Sequence, residues 1–404
     1  MIEVRPAGDA ALLLAATPTD QDELGSNRAA SVAAAVRSAA LPGVIDVVPA
    51  AETVLVTVEP GSWDLTVLAT RLRSLAAVPV PALAADSTAE LVLDTIYDGP
   101  DLASVATISG LTVTEVISRH AAVSYRVGWL GFSPGFGYLT GLDPVLAAVP
   151  RLATPRVTVP AGSVAIAGGL AAVYPSASPG GWQLLGRTAE LLWDPLRDPP
   201  TALSPGRRVR FRPVEQLAPL PAATRASPYV PSGQRWIQVL QPGPLTTVQD
   251  LGRTGLAHLG VPGSGAADAA SLRRANRLVG NPDDAAGLEV TLGRLGIRFE
   301  TDAVVAVTGA PVPLSLGTHD TAVPVPAGSV LRLGAPAVGL RSYLVIDGGI
   351  DAQPVLGSRS SDLRSGIGPP RLRAGDRLPL KQPCSHIERP AGEPARSIEA
   401  DPVR

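Results

Sequence analysis

Glycine and proline interrupt residues 123–188 every few positions and leave only short apolar or β-branched runs between them. This frequent spacing of glycine and proline is typical of short strands joined by tight turns and is poorly suited to helices. Two of the turns are glycine pairs, Gly168-Gly169 and Gly180-Gly181, which permit positive φ and close approach of a bound molecule. The stretch therefore predicts a mainly β module in which these glycines form barrel corners or part of a ligand cleft.

Length and charge limit the classes of protein to which this chain can belong. Its 404 residues predict about two to four domains of ordinary size. The net charge of −2 gives no electrostatic reason to expect nucleic acid or an anionic membrane as a partner. The first residues show no basic-then-apolar leader pattern, and no apolar run reaches membrane-spanning length. We therefore expect a cytoplasmic chain without nucleic-acid or membrane partners.

Reactive side chains are scarce in this sequence. Cys384 is the only cysteine, so internal disulfides and multi-cysteine metal sites are excluded, and the four histidines stand in unlike contexts. Lys381 is the only lysine and lies near the end of the chain. A Walker A lysine, a core Schiff-base lysine, a Ser-Ser-Lys centre and a biotin-acceptor lysine are therefore not expected. Arginine carries nearly all the positive charge, which suits bidentate recognition of anions. We expect no metal site and no biotin on this chain.

Composition and periodicity divide the chain into five parts. Residues 1–93 alternate strand-like and helical runs and predict a small α+β domain. Two mainly β modules follow at 94–214 and 236–380, and a linker rich in Pro, Ala and Ser separates them at 215–235. The polar, Pro-rich residues 381–404 predict a disordered tail.

The two β modules carry an internal repeat. The sequence VPAGSV occurs at 159–164 and again at 325–330. Each copy is followed at a similar distance by a turn and a strand-like run, PGRRVRF at 205–211 and AGDRLPL at 374–380. A shared distance between two signatures favours modules of similar construction over chance reuse of one convenient turn.

One helix has a clear start signal. Thr112 and Glu115 form the Thr-x-x-Glu pattern of a capping box. The helix reaches His120, which we expect to be a surface histidine stabilised by the helix dipole rather than a catalytic group. Asp98 and Asp101 precede this helix and either cap a helix or face a site.

The segment 131–135, Gly-Phe-Ser-Pro-Gly, formally matches the nucleophile elbow of hydrolases. That motif needs a helix after the serine and a backbone N–H on the following residue, which Pro134 lacks. We predict instead a glycine-rich loop at a cleft rim, in which Phe132 and Phe136 pack together or stack on a substrate.

The first β module offers arginines, an amide, aromatic rings and glycine backbone that suit a phosphate or carboxylate ligand. The predicted substrate-binding residues of this module are Phe132, Tyr138, Arg156, Gly168, Gly169, Gly180, Gly181, Gln183 and Arg187.

The second module places a carboxylate, a guanidinium and an imidazole in one loop-rich stretch. Such a set can bind a small carboxylate and move a proton, so Asp250, Arg253 and His258 are predicted to be catalytic. Gln249 and Asp268 are predicted to bind substrate. The alternative is structural: Asp250 and Arg253 fix the loop, the histidine fills space and Asp268 caps a helix.

The sequence also resembles a known family. GWLGFSPGFGYLTGLDP, TPRVTVPAGSVAIAGG and YPSASPGGWQLLGRT resemble the first subunit of the bacterial 5-oxoprolinase complex, also labelled allophanate hydrolase subunit 1 or sporulation kinase inhibitor. The run from VLQPGPLTTVQDLGRTGLAHLG through VTGAPV, YLVIDGGID and VLGSRSSDLRSG resembles the second subunit. We therefore interpret the chain as a fusion of the two families.

The resemblance implies cyclophilin-like β-barrels for both modules and ATP-dependent opening of 5-oxo-L-proline to L-glutamate. It implies ATP, with Mg, as a cofactor, a 5-oxoproline-type substrate, a separate third subunit and an oligomeric state. In the family, the second subunit extends beyond LRAGDRLPL into a further barrel-like half, so we expect a truncated second subunit here. Two rival functions stay open: a histidine-kinase-inhibiting regulator, and the carboxyltransferase-like part of a biotin-dependent urea carboxylase or urea amidolyase.

Overall fold

A computed structural model describes residues 2–15, 26–77, 89–219 and 229–383. Part of the predicted linker (220–228) and most of the predicted tail (384–404, with Cys384) lie outside these residues. The chain divides into two compact units. The first contains residues 1–226 and 254–263, and the second contains residues 227–253 and 264–404.

The N-terminal part of the first unit is an antiparallel sheet with two helices. Its strands are ordered β1-β2-β4-β3. Alternating residues of β4 are fully buried because a strand packed on one face turns every second side chain inward. Helices α1 and α2 add their apolar faces to the same core. The elements are β1 (Glu3–Pro6), β2 (Ala11–Ala15), α1 (Ser26–Ser38), β3 (Val44–Pro49), β4 (Thr53–Val58) and α2 (Leu65–Ala77).

A closed seven-stranded barrel forms the rest of the first unit. Its strands are ordered β10-β7-β6-β13-β5-β12-β9, and the parallel pair β13–β5 joins the last strand to the first. A separate pair, β8 with β11, lies outside the barrel. The strands are β5 (Leu91–Ile96), β6 (Tyr125–Leu130), β7 (Gly137–Thr140), β8 (Arg156–Val159), β9 (Ser163–Ala167), β10 (Leu170–Val173), β11 (Ser178–Gly180), β12 (Gln183–Thr188) and β13 (Arg208–Pro213).

Three helices accompany the barrel: α3 (Leu102–Ser109), α4 (Val113–Ala122) and the short α5 (Pro144–Ala147). The capping box at α4 is confirmed, since Thr112 and Glu115 bond each other's backbone N–H. The expectation of a surface His120 is wrong. Its ring is fully buried among Tyr97, Tyr125 and Phe211, because α4 packs its C-terminal turn into the barrel core.

The second unit is built from two antiparallel sheets. One is ordered β20-β17-β14-β22 and the other β15-β16-β21-β18-β19. Its elements are β14 (Arg235–Pro242), β15 (Leu245–Gln249), α6 (Ala269–Leu278), β16 (Gly287–Thr291), β17 (Leu295–Phe299), β18 (Ala303–Gly309), β19 (Val323–Val325), β20 (Val330–Arg332), β21 (Arg341–Ile346) and β22 (Arg377–Leu380). A 3-10 helix, Ala257–Leu259, belongs to the first unit. The chain is thus mainly β, as predicted, and the described strands of the second module form two sheets.

The repeated signatures form matching turns in the two modules. Gly162 and Gly328 have φ of 80° and 82°, and the next residue bonds the carbonyl of the proline three positions earlier in both. Gly206 and Gly375 have φ of 92° and 93° before the final strands. Positive φ disfavours side chains, so glycine is required at these four positions. The predicted repeat is therefore visible in backbone geometry.

Among the described residues, none of the helices has both the length and the apolar character that crossing a bilayer requires.

Candidate functional site

The second unit contains a buried polar network around Asp250, which follows strand β15. Both carboxylate oxygens accept hydrogen bonds. Oδ1 accepts from the Ser358 hydroxyl (2.6 Å), the Ser360 hydroxyl (2.5 Å) and the Gly252 N–H (2.8 Å). Oδ2 accepts from the Arg359 N–H (2.6 Å). With four donors and 7% exposure, the Asp250 side chain orders the loop around it.

Arg253 completes this network and has one free donor. Its Nε donates to the Val355 carbonyl (3.0 Å) and its Nη2 to the Ser360 carbonyl (2.6 Å). Its Nη1 is buried and has no hydrogen-bond partner among the described residues. Burial lowers the pKa of Arg253, while the charges of Asp250 and Asp362 raise it. A buried guanidinium N–H without a partner is costly, and an anionic oxygen is the group that would satisfy it.

A cavity of about 520 Å³ lies in the same unit and is lined by residues of the segment 362–371. Gly368 connects it to the network, since a Cβ at this position would stand 2.9 Å from Arg253 Nη2. Asp362 lines the cavity; burial raises its pKa, but donors from Ser365 and Ser264 outweigh this effect and hold it below its ordinary value. The site therefore combines a cavity, an ionised carboxylate and a guanidinium donor.

The predicted arginines of the first module already have partners. Arg156 Nη2 lies 2.6 Å from Asp101 Oδ1, and Asp101 Oδ2 also accepts the Leu184 N–H (2.7 Å). Asp101 makes no side-chain cap, so its role is the ion pair. Arg187 pairs with Asp98 at 2.9 Å, with both side chains about half exposed. These contacts explain the arginines structurally, and their ligand role stays a prediction.

The predicted glycines serve turns and packing. Gly168 and Gly169 have positive φ, with open space around them, in the turn between β9 and β10. A Cβ at Gly180 would lie 2.2 Å from the Tyr174 hydroxyl, and one at Gly181 would make ordinary contact with Pro155. Packing thus fixes Gly180, while a ligand role for any of the four glycines is untested.

The predicted aromatic residues lie in one cluster. Tyr138 stacks on Trp129 at 4.8 Å, and Phe136 makes edge contacts with Phe132 and with Trp182. Phe132 is 53% exposed and has a positive φ of 68°, so its ring forms the outer edge of the cluster. An exposed ring on a rigid aromatic base is suited to stacking.

The segment 131–135 joins strand β6 to strand β7, so no helix follows Ser133. This agrees with rejecting the nucleophile elbow, which needs a strand followed by a helix.

The remaining predicted residues are distributed between the units. Gln249 donates to Ser361 O (3.2 Å) and its Oε1 is buried without a partner, beside the Asp250 network. Asp268 caps α6 by accepting the Ser271 N–H (3.0 Å). Gln183 donates to Pro150 O (3.2 Å). His258 belongs to the first unit, so the predicted catalytic set is not gathered within one unit.

Sequence reasoning missed the serines that hold Asp250 and the lining residue Asp362. All lie in the run Ser-Arg-Ser-Ser-Asp at 358–362, which follows the positive-φ Gly357. Dense hydroxyls after a glycine turn are a signal for a carboxylate-binding loop. In the described part of the chain, no group of three or more His, Cys, Asp or Glu side chains is arranged to hold a metal ion.

A barrel unit joined to a two-sheet unit with a buried carboxylate–guanidinium network defines a tandem β-module protein. Residues 2–203 match the family model "carboxyltransferase domain, subdomain C and D", and residues 259–403 match "carboxyltransferase domain, subdomain A and B". The chain belongs to this carboxyltransferase domain family, with both pairs of subdomains in one polypeptide.

Named relatives match each half separately. The B-type subunit of 5-oxoprolinase from Escherichia coli O157:H7 is 52% identical over 118 residues, which are 29% of this chain and 54% of the relative. The C-type subunit of 5-oxoprolinase from Escherichia coli K12 is 46% identical over 153 residues, which are 36% of this chain and 49% of the relative. The predicted resemblance to the first and second 5-oxoprolinase subunits is confirmed by these two matches. The chain spans about half the length of the curated relatives it matches.

A solved structure matches the whole chain. The crystal structure of TTHA0988 aligns with a TM-score of 0.80 and 35% identity, covering 100% of this chain and 78% of that one. The fusion of both halves in one polypeptide therefore has a structural counterpart.

Proposed function

We propose that this chain is a fused subunit of an ATP-dependent 5-oxoprolinase that converts 5-oxo-L-proline to L-glutamate. The observation that carries the proposal is the double match: one half resembles the B-type and the other half the C-type subunit of the same enzyme. Chance would not pair two parts of one complex in a single chain. The enzyme is completed by a separate third subunit, and we place the complex in the cytoplasm.

The geometry of the second unit suits a small anionic substrate. Arg253 Nη1 is a buried donor without a partner among the described residues, and Gly368 joins its guanidinium to the cavity of about 520 Å³. A carboxylate oxygen at Nη1 would satisfy this donor by a charge-assisted hydrogen bond. Asp250, already held by four donors, keeps Arg253 and the serine loop in place rather than moving a proton itself.

Opening of the lactam requires coupling to ATP cleavage, because a lactam in an unstrained five-membered ring is a stable amide. In the proposed scheme the lactam oxygen attacks the γ-phosphorus of ATP and ADP leaves, which gives a phosphorylated imidate. Water then adds to the activated ring carbon, and collapse of this adduct breaks the C–N bond with protonation of nitrogen, which gives γ-glutamyl phosphate. A second water hydrolyses this acyl phosphate to glutamate and inorganic phosphate. Arginine and backbone N–H groups stabilise the charge that develops on oxygen. ATP enters as its Mg complex.

We propose that both β modules, at 94–214 and 236–380, are cyclophilin-like and that the protein works as an oligomer. The closed barrel of the first module and the matching turns of the second support a common plan.

Co-expression with candidate third subunits tests the function. We expect glutamate release from 5-oxoproline that requires ATP, with ADP formed only when 5-oxoproline is present. Arg253→Gln should raise KM for 5-oxoproline at least tenfold, and Arg298→Gln, on exposed strand β17 surface, is the matched control. ATP turnover that ignores 5-oxoproline would contradict the proposal.

The family description favours one alternative, carboxyl transfer from a biotin carried by another chain. Transfer of labelled carboxylate from a biotinylated partner to urea, without glutamate formation, would support it. Absence of such transfer in the complex that releases glutamate would exclude it.

A further inference from the structure

A second cavity, of about 170 Å³, lies within the first unit. Helix α1, the turn after it and strand β3 form one side, with apolar walls from Val36, Leu41 and Val44. Gly255 and His258 close the other side. The segment 254–263 is held there by a hydrogen bond from the Gly135 N–H to the Leu259 carbonyl (3.0 Å). The cavity is therefore built from three separate parts of one unit.

Asp46 gives this cavity an unsatisfied acceptor. Its Oδ2 accepts the backbone N–H groups of Gly255 (3.2 Å) and Ala257 (3.4 Å). Its Oδ1 is buried and has no hydrogen-bond partner among the described residues. A buried carboxylate oxygen without a donor is unfavourable unless a bound group supplies one. A hydrogen-bond donor from outside the chain would satisfy this oxygen.

Arg37 supplies positive charge on the same wall. Its Nη1 donates to the Val47 carbonyl (3.0 Å), which uses one of the five guanidinium N–H donors. Burial and then the nearby Arg37 lower the pKa of His258, so the imidazole is neutral at pH 7. The cavity thus presents one anionic and one cationic group, and the histidine adds no further charge.

We propose that this cavity binds a small amino-acid-like molecule, whose N–H group donates to Asp46 Oδ1 and whose carboxylate contacts Arg37. The volume of about 170 Å³ limits the ligand to a small molecule. Free amino acids and cyclic amides with a carboxylate belong to this class. The site is distinct from the Asp250 network, because it lies in the other unit and shares no residue with it.

Binding to this cavity can be measured without any enzymatic turnover of substrate. Ligand-observed NMR on the full chain would titrate glycine and 5-oxo-L-proline, which carry both groups, and propionate, which carries only the carboxylate. We expect at least one of the first two probes to bind, with Kd raised at least tenfold by Asp46→Asn and by Arg37→Gln. Propionate should bind more weakly than the probe that binds, and Asp46→Asn should not weaken propionate binding further.

Matched controls are Asp9→Asn and Arg71→Gln, which change exposed residues of the same N-terminal part and should leave Kd unchanged. If Asp46→Asn unfolds the segment 254–263, Arg37→Gln decides alone, since Arg37 makes its hydrogen bond to strand β3. Binding that is unchanged in Arg37→Gln, or no binding of any probe to the wild-type chain, would overturn the proposal. Because no ATP or third subunit is present, this outcome is independent of the glutamate-release assay.

Discussion

The two β modules share two turn signatures but bury different kinds of polar group. The barrel of the first module encloses His120, whose Nδ1 lies 2.8 Å from the Tyr97 hydroxyl among aromatic rings. The second module encloses ions: Arg235 lies 2.5 Å from Asp347, with side chains only 10% and 6% exposed. A repeated turn therefore specifies the backbone path without specifying the buried chemistry.

This difference indicates where function can diverge after a module is duplicated. Positive-φ glycines at matching positions keep the turns alike, because no other residue adopts that conformation without strain. Side chains between the turns are free to change as long as the core stays filled and every buried polar group keeps a partner. The Asp250 network is an example of such divergence in the second module, and Arg253 Nη1, which has no partner among the described residues, departs from this rule.

The largest expected effect comes from removing one member of the ion pair in the second module. Asp347→Ala leaves Arg235 buried with only carbonyl partners, so we expect a loss of about 3–5 kcal/mol in the free energy of unfolding. Asp101→Ala in the first module should cost about 1.5–3 kcal/mol, because Arg156 is 27% exposed and stays partly hydrated. Urea unfolding measures the loss of stability in both variants. A larger loss for Asp101→Ala than for Asp347→Ala would contradict the expected difference between the two modules.

The buried histidine should make the first module acid-sensitive. Burial lowers the pKa of His120 to about 3, well below the value of about 6.5 expected in the unfolded chain. The folded state then binds fewer protons, so stability is lost as pH falls below about 6.5 towards 3. Between pH 8 and pH 5 this histidine should cost about 2 kcal/mol.

Urea unfolding at the two pH values, followed by tryptophan fluorescence, measures this loss. His120→Phe should remove most of the acid-dependent part, whereas His319→Gln in the second module, at a half-buried site, should change it little. Equal acid sensitivity in wild type and His120→Phe would show that the histidine is not responsible.

How far the sequence could predict these features depends on whether the signal is local. Strands Thr53–Val58 and Leu91–Ile96, the Thr112 capping box and the repeated glycine turns have local signals, and all are present. His120 could not be placed, because its burial depends on how α4 packs against a barrel formed from distant strands.

The candidate site was only half predictable for the same reason. Asp250 and Arg253 stand together in sequence and do belong to one network. The serines that hold Asp250 come from more than a hundred residues away, and Asp101 lies 55 residues from its partner Arg156. Such pairings follow from topology, which spacing along the chain does not reveal.

Helix caps should give equal, smaller effects in the two modules. Thr112 caps α4 in the first module and Asp268 caps α6 in the second, each through a side-chain oxygen that accepts a backbone N–H. Thr112→Ala and Asp268→Ala should each lower the free energy of unfolding by about 1 kcal/mol. Asp268→Asn keeps the cap and should be nearly neutral. If Asp268→Asn nevertheless impairs 5-oxoproline turnover, the predicted substrate role of Asp268 gains support.

The smallest stability effect is expected at the exposed ion pair of Arg187 and Asp98. Side chains that are 56% and 46% exposed gain little from pairing in water, so Arg187→Gln should change the free energy of unfolding by less than about 0.5 kcal/mol. Arg212→Gln is the matched control, because Arg212 forms a similar exposed pair with Asp94 and was not predicted to bind substrate. A raised KM for 5-oxoproline in Arg187→Gln alone would identify it as a substrate contact in the first module. Equal kinetics in the two variants would indicate that the second module, and not Arg187, recognises the anionic substrate. The two modules would then differ in substrate binding as well as in stability.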